Sequence, residues 1–195
     1  RIAQHVTGLL VVDEAYAGDV IGIPNHGILH LGDVLTEGEA LHFTGLPFFA
    51  PELFQAVETK DPLRIKQLRT GLLQLGEEGA IQVFKPIAAG GAMLLGAVGQ
   101  LQFEVVAHRL QAEYGAEARL MPSRYNMARW ITAEDPKELR KFIDANASHI
   151  AYDVVEAPAF LVSSTAQLRV AEERHPAIRF HAMREHGGQV FSDKV

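Results

Sequence analysis

Two Asp-Pro pairs, Asp61-Pro62 and Asp135-Pro136, constrain the fold of this chain more than any other feature. Aspartate caps the first turn of a helix and proline is favoured at the first helical position, so each pair predicts a helix start. After both pairs, apolar residues recur at helical spacing: Ile65, Leu68, Leu72 and Leu75 in one case, Leu139, Phe142 and Ile143 in the other. The sequence therefore predicts a helix-containing unit that occurs twice.

Strand-like runs surround both predicted helices in the same order. The first copy has runs at 41–44, 80–84, 93–98 and 117–120, with a second helix through Phe103, Val106 and Leu110. The second copy has runs at 127–131, 151–155, 159–162 and 178–182, with a second helix that begins at Ser164 and Gln167, a capping box. Each copy reads β-α-β-β-α-β, the ferredoxin-like order. We expect an α+β domain over residues 46–195, whose units, 46–122 and 123–195, either share one core or form two lobes.

Residues 1–45 show strand patterns and no helical period. Short apolar runs at 20–23 and 28–31 flank Pro24-Asn25-His26-Gly27, whose residue types favour a hairpin turn, and Val34-Leu35 follows a further break. A segment of about 45 residues buries too little surface for a stable β core of its own. We therefore expect residues 1–45 to be the C-terminal part of a larger β-barrel.

Composition and charge exclude several functional classes. The chain has 195 residues, no cysteine and a net charge of −6. Disulfides, thiolate metal sites and cysteine nucleophiles are therefore excluded. Proteins that wrap DNA through bulk charge are basic, and a membrane span needs about 20 apolar residues, so we expect neither DNA nor a membrane as a partner. We expect a cytoplasmic protein, since no secretory leader is recognisable.

No pattern of catalytic or metal-binding residues stands out. His175, His181 and His186 are close in sequence, but Pro176 interrupts them, so we expect no metal site. Ser164 fits a helix cap, and no Gly-x-Ser-x-Gly string surrounds it. No Gly-x-x-x-x-Gly-Lys-Ser/Thr string occurs, which excludes a P-loop. We expect no catalytic residue and no cofactor in this chain.

Longer strings resemble a known family. AGDVIGI at 17–23 and LGDVL at 31–35 are similar to the closing strands of the second-domain barrel of translational GTPases. FTGLPFFAPELF at 43–54 is more specific. Together with LGEEGAIQVF at 75–84, GAVGQLQFEV at 96–105 and FHAMREH at 180–186, it resembles the peptide chain release factor 3 family, the class II release factors. The similarity extends from Val11 to about Gly187, and the family has a longer barrel stretch where Leu10 meets Val11, so we expect residues to be missing there.

The resemblance implies a fold and a function. Residues 1–45 would be the end of the domain II β-barrel of a translational GTPase, and 46–195 its α+β domain III. Such a factor docks on ribosomal RNA and ribosomal protein. Its GTPase domain, which uses GTP or GDP with Mg²⁺ and is absent from this sequence, is coupled to recycling of the codon-reading class I release factors. Two alternatives stay open: the equivalent domains of another translational GTPase such as elongation factor G, and a metabolite-binding regulatory module.

Two groups of residues are candidates for contact with RNA. Arg124, Asn126 and Arg129 stand with Tyr125 and Trp130 where the two units meet. Arginine can clamp phosphates and rings can stack on bases, although we expect Trp130 to fill the core and ordinary surface ion pairs are an equal alternative for the arginines. Arg179, Arg184 and His186, near the C-terminus, form the second group.

Overall fold

The computed structural model of the chain describes residues 2–5, 9–12, 14–24, 28–29, 32–41, 47–88, 91–185 and 191–192. Its first part contains a three-stranded antiparallel sheet with the strand order β2-β1-β3. The strands are β1 (Ile2–His5), β2 (Leu9–Val12) and β3 (Ile21–Gly22). β2 runs across the junction of Leu10 and Val11 without a break. That relatives carry additional residues there stays a prediction.

Some strands expected in residues 1–45 do not form. Ile28, Leu29, Val34 and Leu35 lie outside any strand, whereas His30, Leu31 and the turn residues 25–27 lie outside the described residues. Ile28 is 78% exposed and Leu35 is 62% exposed. The physical reason is that a strand is stabilised by neighbours on its faces and edges, and most of the surface of these two side chains faces water.

The first βαββαβ unit is present, but its first strand was misplaced in the prediction. Following β4 (Pro47–Phe49), the unit consists of β5 (Leu53–Thr59), α1 (Ile65–Glu77), β6 (Gln82–Pro86), β7 (Leu94–Ala97), α2 (Gln100–Tyr114) and β8 (Ala118–Pro122). Of the predicted strand 41–44, Leu41 lies in no strand and 42–44 lie outside the described residues. β5 takes the first place because Phe54 and Val57 are buried on its opposite faces, so it suits the middle of a sheet.

The second unit follows the predicted order. It consists of β9 (Met127–Ala133), α3 (Pro136–Ala145), β10 (Ile150–Tyr152), β11 (Pro158–Val162), α4 (Thr165–Arg174) and β12 (Ile178–His181). β10 is shorter than the predicted run 151–155. Asp153 ends it, because its Oδ1 accepts hydrogen bonds from the backbone N–H groups of Val155 (3.0 Å) and Ala157 (2.8 Å) and so closes a turn.

Both units contribute to one eight-stranded antiparallel sheet with the order β12-β9-β11-β10-β6-β7-β5-β8. Within each unit the strand order is the ferredoxin-like one, with the first strand between the third and the fourth. The second strands of the units, β6 and β10, pair with each other at the centre, where Ala151 faces Pro86 and Tyr152 faces Lys85. Main-chain hydrogen bonds therefore run across the boundary between the units.

The two faces of this sheet are buried by different partners. On one face, α1 and α2 cover a core around Leu72, Leu95 and Phe103, and α3 and α4 cover a second core around Phe142 and Phe160. The other face carries a third core, in which Phe54, Phe84 and Leu94 of the first unit meet Tyr125, Trp130 and Leu161 of the second. This third core belongs to both units because it crosses the β6–β10 pairing.

The chain end returns to this helix-free face. β13 (Met183–Glu185) pairs with β4 on one side and with β14 (Phe191–Ser192) on the other. Phe48 of β4 packs on the third core and lies 5.6 Å, centroid to centroid, from Trp130. The segment just before the first unit and the segment after the second are thereby joined over the middle of the sheet.

The helix starts follow from the cap residues. Asp61 accepts a hydrogen bond from the Leu63 N–H at 2.9 Å and opens a 3-10 turn, Pro62–Arg64, that leads into α1. Asp135 accepts from the Lys137 N–H at 2.8 Å at the start of α3. Gly115, with φ of 60°, ends α2 in the left-handed conformation that glycine adopts readily. No helix in the described part of the chain is both long and apolar enough to cross a bilayer.

Candidate nucleic-acid interface

Arg124 lies on the surface at the turn between β8 and β9, on a support made by Tyr125. Its Nη2 donates to the Tyr125 Oη at 2.6 Å and to the Ser148 carbonyl at 3.3 Å. The guanidinium carbon lies 4.8 Å from the centre of the Tyr125 ring, within the range of a cation–π contact. Tyr125 is only 8% exposed and its hydroxyl donates to the Ser148 carbonyl at 2.6 Å, so the support is rigid. Nη1 and Nε of Arg124 make no hydrogen bond to any described residue and can reach a ligand.

Asn126 lies next to Arg124 and is also exposed. Its backbone N–H donates to the Val162 carbonyl at 3.0 Å, and its Nδ2 donates to the Ser163 carbonyl at 3.2 Å. These two bonds attach Asn126 to the end of β11 and leave its side-chain oxygen available to accept a hydrogen bond. The structure therefore brings the predicted pair Arg124 and Asn126 together on one exposed edge.

Arg129 is separated from that pair. It lies in β9, three residues beyond Asn126, which corresponds to about 10 Å of strand. It is half-buried, and its Nη1 donates to the Ala128 carbonyl at 2.8 Å. Burial lowers the pKa of the guanidinium, and the nearby Glu172 carboxylate offsets part of this effect. Arg129 is thus less accessible than Arg124 and is held by its own strand.

Arg184, the predicted contact near the C-terminus, is buried in this structure. Arg184 is 6% exposed, and its Nε lies 3.2 Å from Oδ2 of Asp153, which is 3% exposed. Its guanidinium carbon lies 4.1 Å from the ring centre of Phe48 and 5.4 Å from that of Trp130. Burial lowers the pKa of Arg184, and the charge of Asp153 opposes that shift. Arg184 therefore compensates a buried carboxylate instead of facing solvent, and its contact with RNA stays a prediction from the sequence.

Asp153 is the residue that the sequence reasoning missed. Besides the two backbone bonds that close the turn, its Oδ2 accepts a hydrogen bond from Trp130 Nε1 at 2.9 Å. A signal was present in the sequence, because an acidic residue inside the apolar run 151–155 must find a partner if the run is buried. Trp130 is 0% exposed, which confirms that it fills the core.

The histidine candidates do not form a shared site among the described residues. His175 makes an edge contact with the Phe142 ring at 4.9 Å between centroids, whereas the Nε2 of His181 lies 2.7 Å from the Thr132 hydroxyl. His186 lies outside the described residues. Within the described ranges, no three His, Asp or Glu side chains converge as metal ligands would.

The chain matches a known domain family over more than half of its length. The family model described as "Class II release factor RF3, C-terminal domain" matches residues 43–172. The chain is 79% identical to peptide chain release factor 3 of Bordetella avium over 95% of this chain, and 66% identical to that of Nitrosomonas eutropha over 93%. It covers 35% and 34% of these relatives, so it spans about a third of the length of the curated relatives it matches.

A solved structure shows a similar fold. A crystal structure of a Thermus thermophilus protein matches 69% of this chain and 20% of its own chain, with a TM-score of 0.53 and 28% sequence identity. Both kinds of comparison agree with an α+β piece of a longer protein.

Proposed function

The chain belongs to the class II release factor RF3 family, and we propose that it is the part of such a factor that docks on the ribosome during translation termination. In this proposal its contacts are ribosomal RNA and ribosomal protein. The chain couples the nucleotide state of a GTPase domain, which binds GTP or GDP with Mg²⁺ elsewhere in the whole factor, to recycling of the class I release factors. The chain itself performs no catalysis. Residues 1–45 are the end of the domain II barrel, and 46–195 are domain III.

The observation that carries the proposal is the supported, exposed guanidinium of Arg124. An arginine whose guanidinium is already held by a buried tyrosine loses little side-chain entropy when it binds a phosphate, and it keeps Nη1 and Nε for that contact. Asn126, beside it, offers an acceptor for a ribose hydroxyl or a base edge. The net charge of −6 opposes binding through bulk charge, so local, well-oriented contacts of this kind suit the chain better.

The other predicted contacts rank lower. Arg129 takes a secondary part, since its guanidinium is half-buried and lies near the Glu172 carboxylate of α4. The part of His186 stays a prediction from the sequence. Arg184 is left out of the contact set because it is committed to Asp153.

The test uses the whole factor, with its GTPase domain, in co-sedimentation with ribosomes. We expect Arg124→Glu to weaken ribosome binding by about tenfold or more, since charge-assisted hydrogen bonds contribute roughly 1.5–3 kcal/mol each. Arg124→Lys keeps the positive charge but loses the planar guanidinium with its paired donors. Its affinity for the ribosome should lie between those of the wild type and Arg124→Glu. The matched control is Arg140→Glu, an exposed arginine on α3 whose side chain is 81% accessible.

Two readouts separate docking from folding. In the Arg124→Glu variant, ribosome-stimulated GTP hydrolysis should fall by about as much as ribosome binding does. Nucleotide binding without ribosomes and the unfolding midpoint should stay unchanged. Co-sedimentation of Arg124→Glu at the wild-type level would remove Arg124 from the docking surface. A metabolite-binding module would instead show saturable thermal stabilisation by a small molecule, with no response to ribosomes.

A further inference from the structure

An apolar groove lies beside α1 in the first unit, away from the candidate interface. Its volume is about 360 Å³, and it opens between α1 and β5 near the residues that precede β7. Val57, Leu68 and Leu72 form its floor and are 5%, 5% and 1% exposed. Met93 and Ile65 form its sides. The groove is thus a preformed apolar slot of the size of a few side chains.

Two exposed aliphatic residues lie at the start of α1, and one of them, Ile65, also lines the slot. Leu63, in the 3-10 turn before α1, is 87% exposed, and Ile65 is 58% exposed. Apolar side chains left in water cost free energy that burial against a partner recovers, at about 25 cal/mol per Å². Exposed apolar residues next to an apolar groove indicate a binding surface more strongly than either feature alone.

Two cations, Lys66 and Arg69, line the same groove, and Arg64 precedes them in the chain. Arg64, Lys66 and Arg69 are exposed, and none of the three forms an ion pair with a described residue. Asp61 caps the 3-10 turn before α1, and Glu117 pairs with Lys60. Some exposed cations of the second unit are paired, for example Lys141 with Glu138 and Arg179 with Glu134. An uncompensated positive surface on a chain of net charge −6 attracts an anion.

We propose that this groove binds an acidic peptide segment that inserts an aliphatic side chain. The aliphatic side chain would lie on Val57, Leu68 and Leu72, and carboxylates on either side of it would pair with Lys66 and Arg69. The observations favour a peptide over RNA because no aromatic ring of a described residue lines the groove for bases to stack on. A phosphate backbone would also leave the apolar floor and Leu63 in water.

This surface is independent of the proposed ribosomal RNA contact. Arg124 rests on Tyr125 and the Ser148 carbonyl, and none of these three residues lines the groove. The proposal therefore concerns a second, protein partner and goes beyond the docking function. Variants of one surface leave the other intact, so the two proposals can fail separately.

The test measures binding of labelled synthetic peptides to the 195-residue chain by fluorescence anisotropy. The probes are a short glutamate–leucine peptide, a glutamate–serine peptide with the same charge, a glutamine–leucine peptide with the same apolar content, and oligouridine RNA. We expect saturable binding of the glutamate–leucine peptide alone. Lys66→Glu with Arg69→Glu should raise its Kd by more than about tenfold, and Ile65→Ser by roughly fivefold to tenfold.

Matched variants and localisation complete the experiment. Lys137→Glu with Arg140→Glu reverses two cations on α3 of the second unit and should change the Kd less than about twofold. The Met93 methyl signal should shift on titration with the glutamate–leucine peptide. Lys66→Gln with Arg69→Gln, a milder change, should also weaken binding if the double reversal disturbs folding.

Four results would overturn the proposal. Equal binding of the glutamate–serine peptide would show that the apolar groove plays no part, and equal binding of the glutamine–leucine peptide would show that the cations play none. Tighter binding of oligouridine would assign the surface to RNA. Absence of saturable binding for every peptide would remove the groove as a docking site.

Discussion

At the scale of single residues, the buried pair of Asp153 and Arg184 is the most consequential. Asp153 is compensated by Arg184 and by three hydrogen bonds, from the Trp130 indole and from the Val155 and Ala157 N–H groups. Removing one partner of a buried ion pair costs about 3–5 kcal/mol, because the other charge stays in the interior. We expect Arg184→Met to lower the free energy of unfolding by about 3 kcal/mol, measured by chemical denaturation.

Asp153→Ala should cost more than Arg184→Met. It leaves the buried Arg184 charge unpaired and also removes the acceptor of three hydrogen-bond donors. Each donor that water does not reach adds about 1–3 kcal/mol to the loss of stability. The control is Arg179→Met, which breaks the exposed pair with Glu134 and should change stability by less than about 1 kcal/mol. Equal losses for Arg179→Met and Arg184→Met would show that burial of the pair contributes nothing.

The sequence could predict that Trp130 is buried and that Arg124 is exposed, but it could not predict that Arg184 is buried. The difference is physical. Trp130 lies in an apolar run, so its burial follows from pattern, and Arg124 is in a turn, where side chains are usually exposed. Arg184 is placed by Asp153, a partner far away in the sequence, and long-range compensation of charge leaves no local period. The acid inside the run 151–155 was the one available indication.

At the scale of elements, two aspartate caps decide where helices begin. Asp61 and Asp135 each accept a backbone N–H, at 2.9 Å and 2.8 Å. We expect Asp61→Ala and Asp135→Ala each to destabilise the chain by about 0.5–2 kcal/mol, whereas Asp→Asn at the same positions, which keeps a cap acceptor, should retain most of the stability. Thermal unfolding followed by circular dichroism measures both. If the asparagine variants lost as much stability as the alanine variants, loss of the cap would not be the cause.

The crossing of α1 and α2 depends on Gly71. A Cβ at Gly71 would lie 2.8 Å from two ring carbons of Tyr114 and 2.9 Å from Leu110 Cδ2, closer than carbon atoms approach each other. Gly71→Ala should therefore destabilise by about 1–3 kcal/mol, although alanine is the better helix former by roughly 1 kcal/mol. Gly99→Ala is the control, since no atom of the described residues beyond its chain neighbours lies within 4 Å of its added Cβ. A stabilising Gly71→Ala, measured by denaturant midpoint, would show that Tyr114 moves aside freely.

The element order was predictable because helical and strand periods, cap residues and Gly115 all mark local structure. β5 was not found, because the run Leu53–Thr59 carries Gln55 and Glu58 and follows a proline-rich stretch, so it lacks a simple alternation. The pairing of β6 with β10 was not predictable either. It depends on how the edges of the two four-stranded units fit together, and no local sequence pattern predicts which edge strands will pair.

At the scale of the whole molecule, the shared third core predicts that the two units unfold together. Leu72 is 1% exposed in the first unit, and Trp130, the chain's one tryptophan, lies in the second. We expect Leu72→Ala to lower stability by about 2–5 kcal/mol and to move the Trp130 fluorescence transition by the same amount as the circular dichroism transition. An unmoved Trp130 transition would mean that the units unfold independently.

The position of β4 has a mechanical consequence. Pro47–Phe49 is the first described strand after the N-terminal segment, and it pairs with β13 over the middle of the sheet, where Arg184 lies on the Phe48 ring. A pull on the chain ahead of Pro47 is therefore carried first by the β4–β13 ladder and the Phe48 contact, and then by the Arg184–Asp153 pair into β10 and β11. The force is therefore applied close to the pairing of β6 with β10 and reaches both units at once.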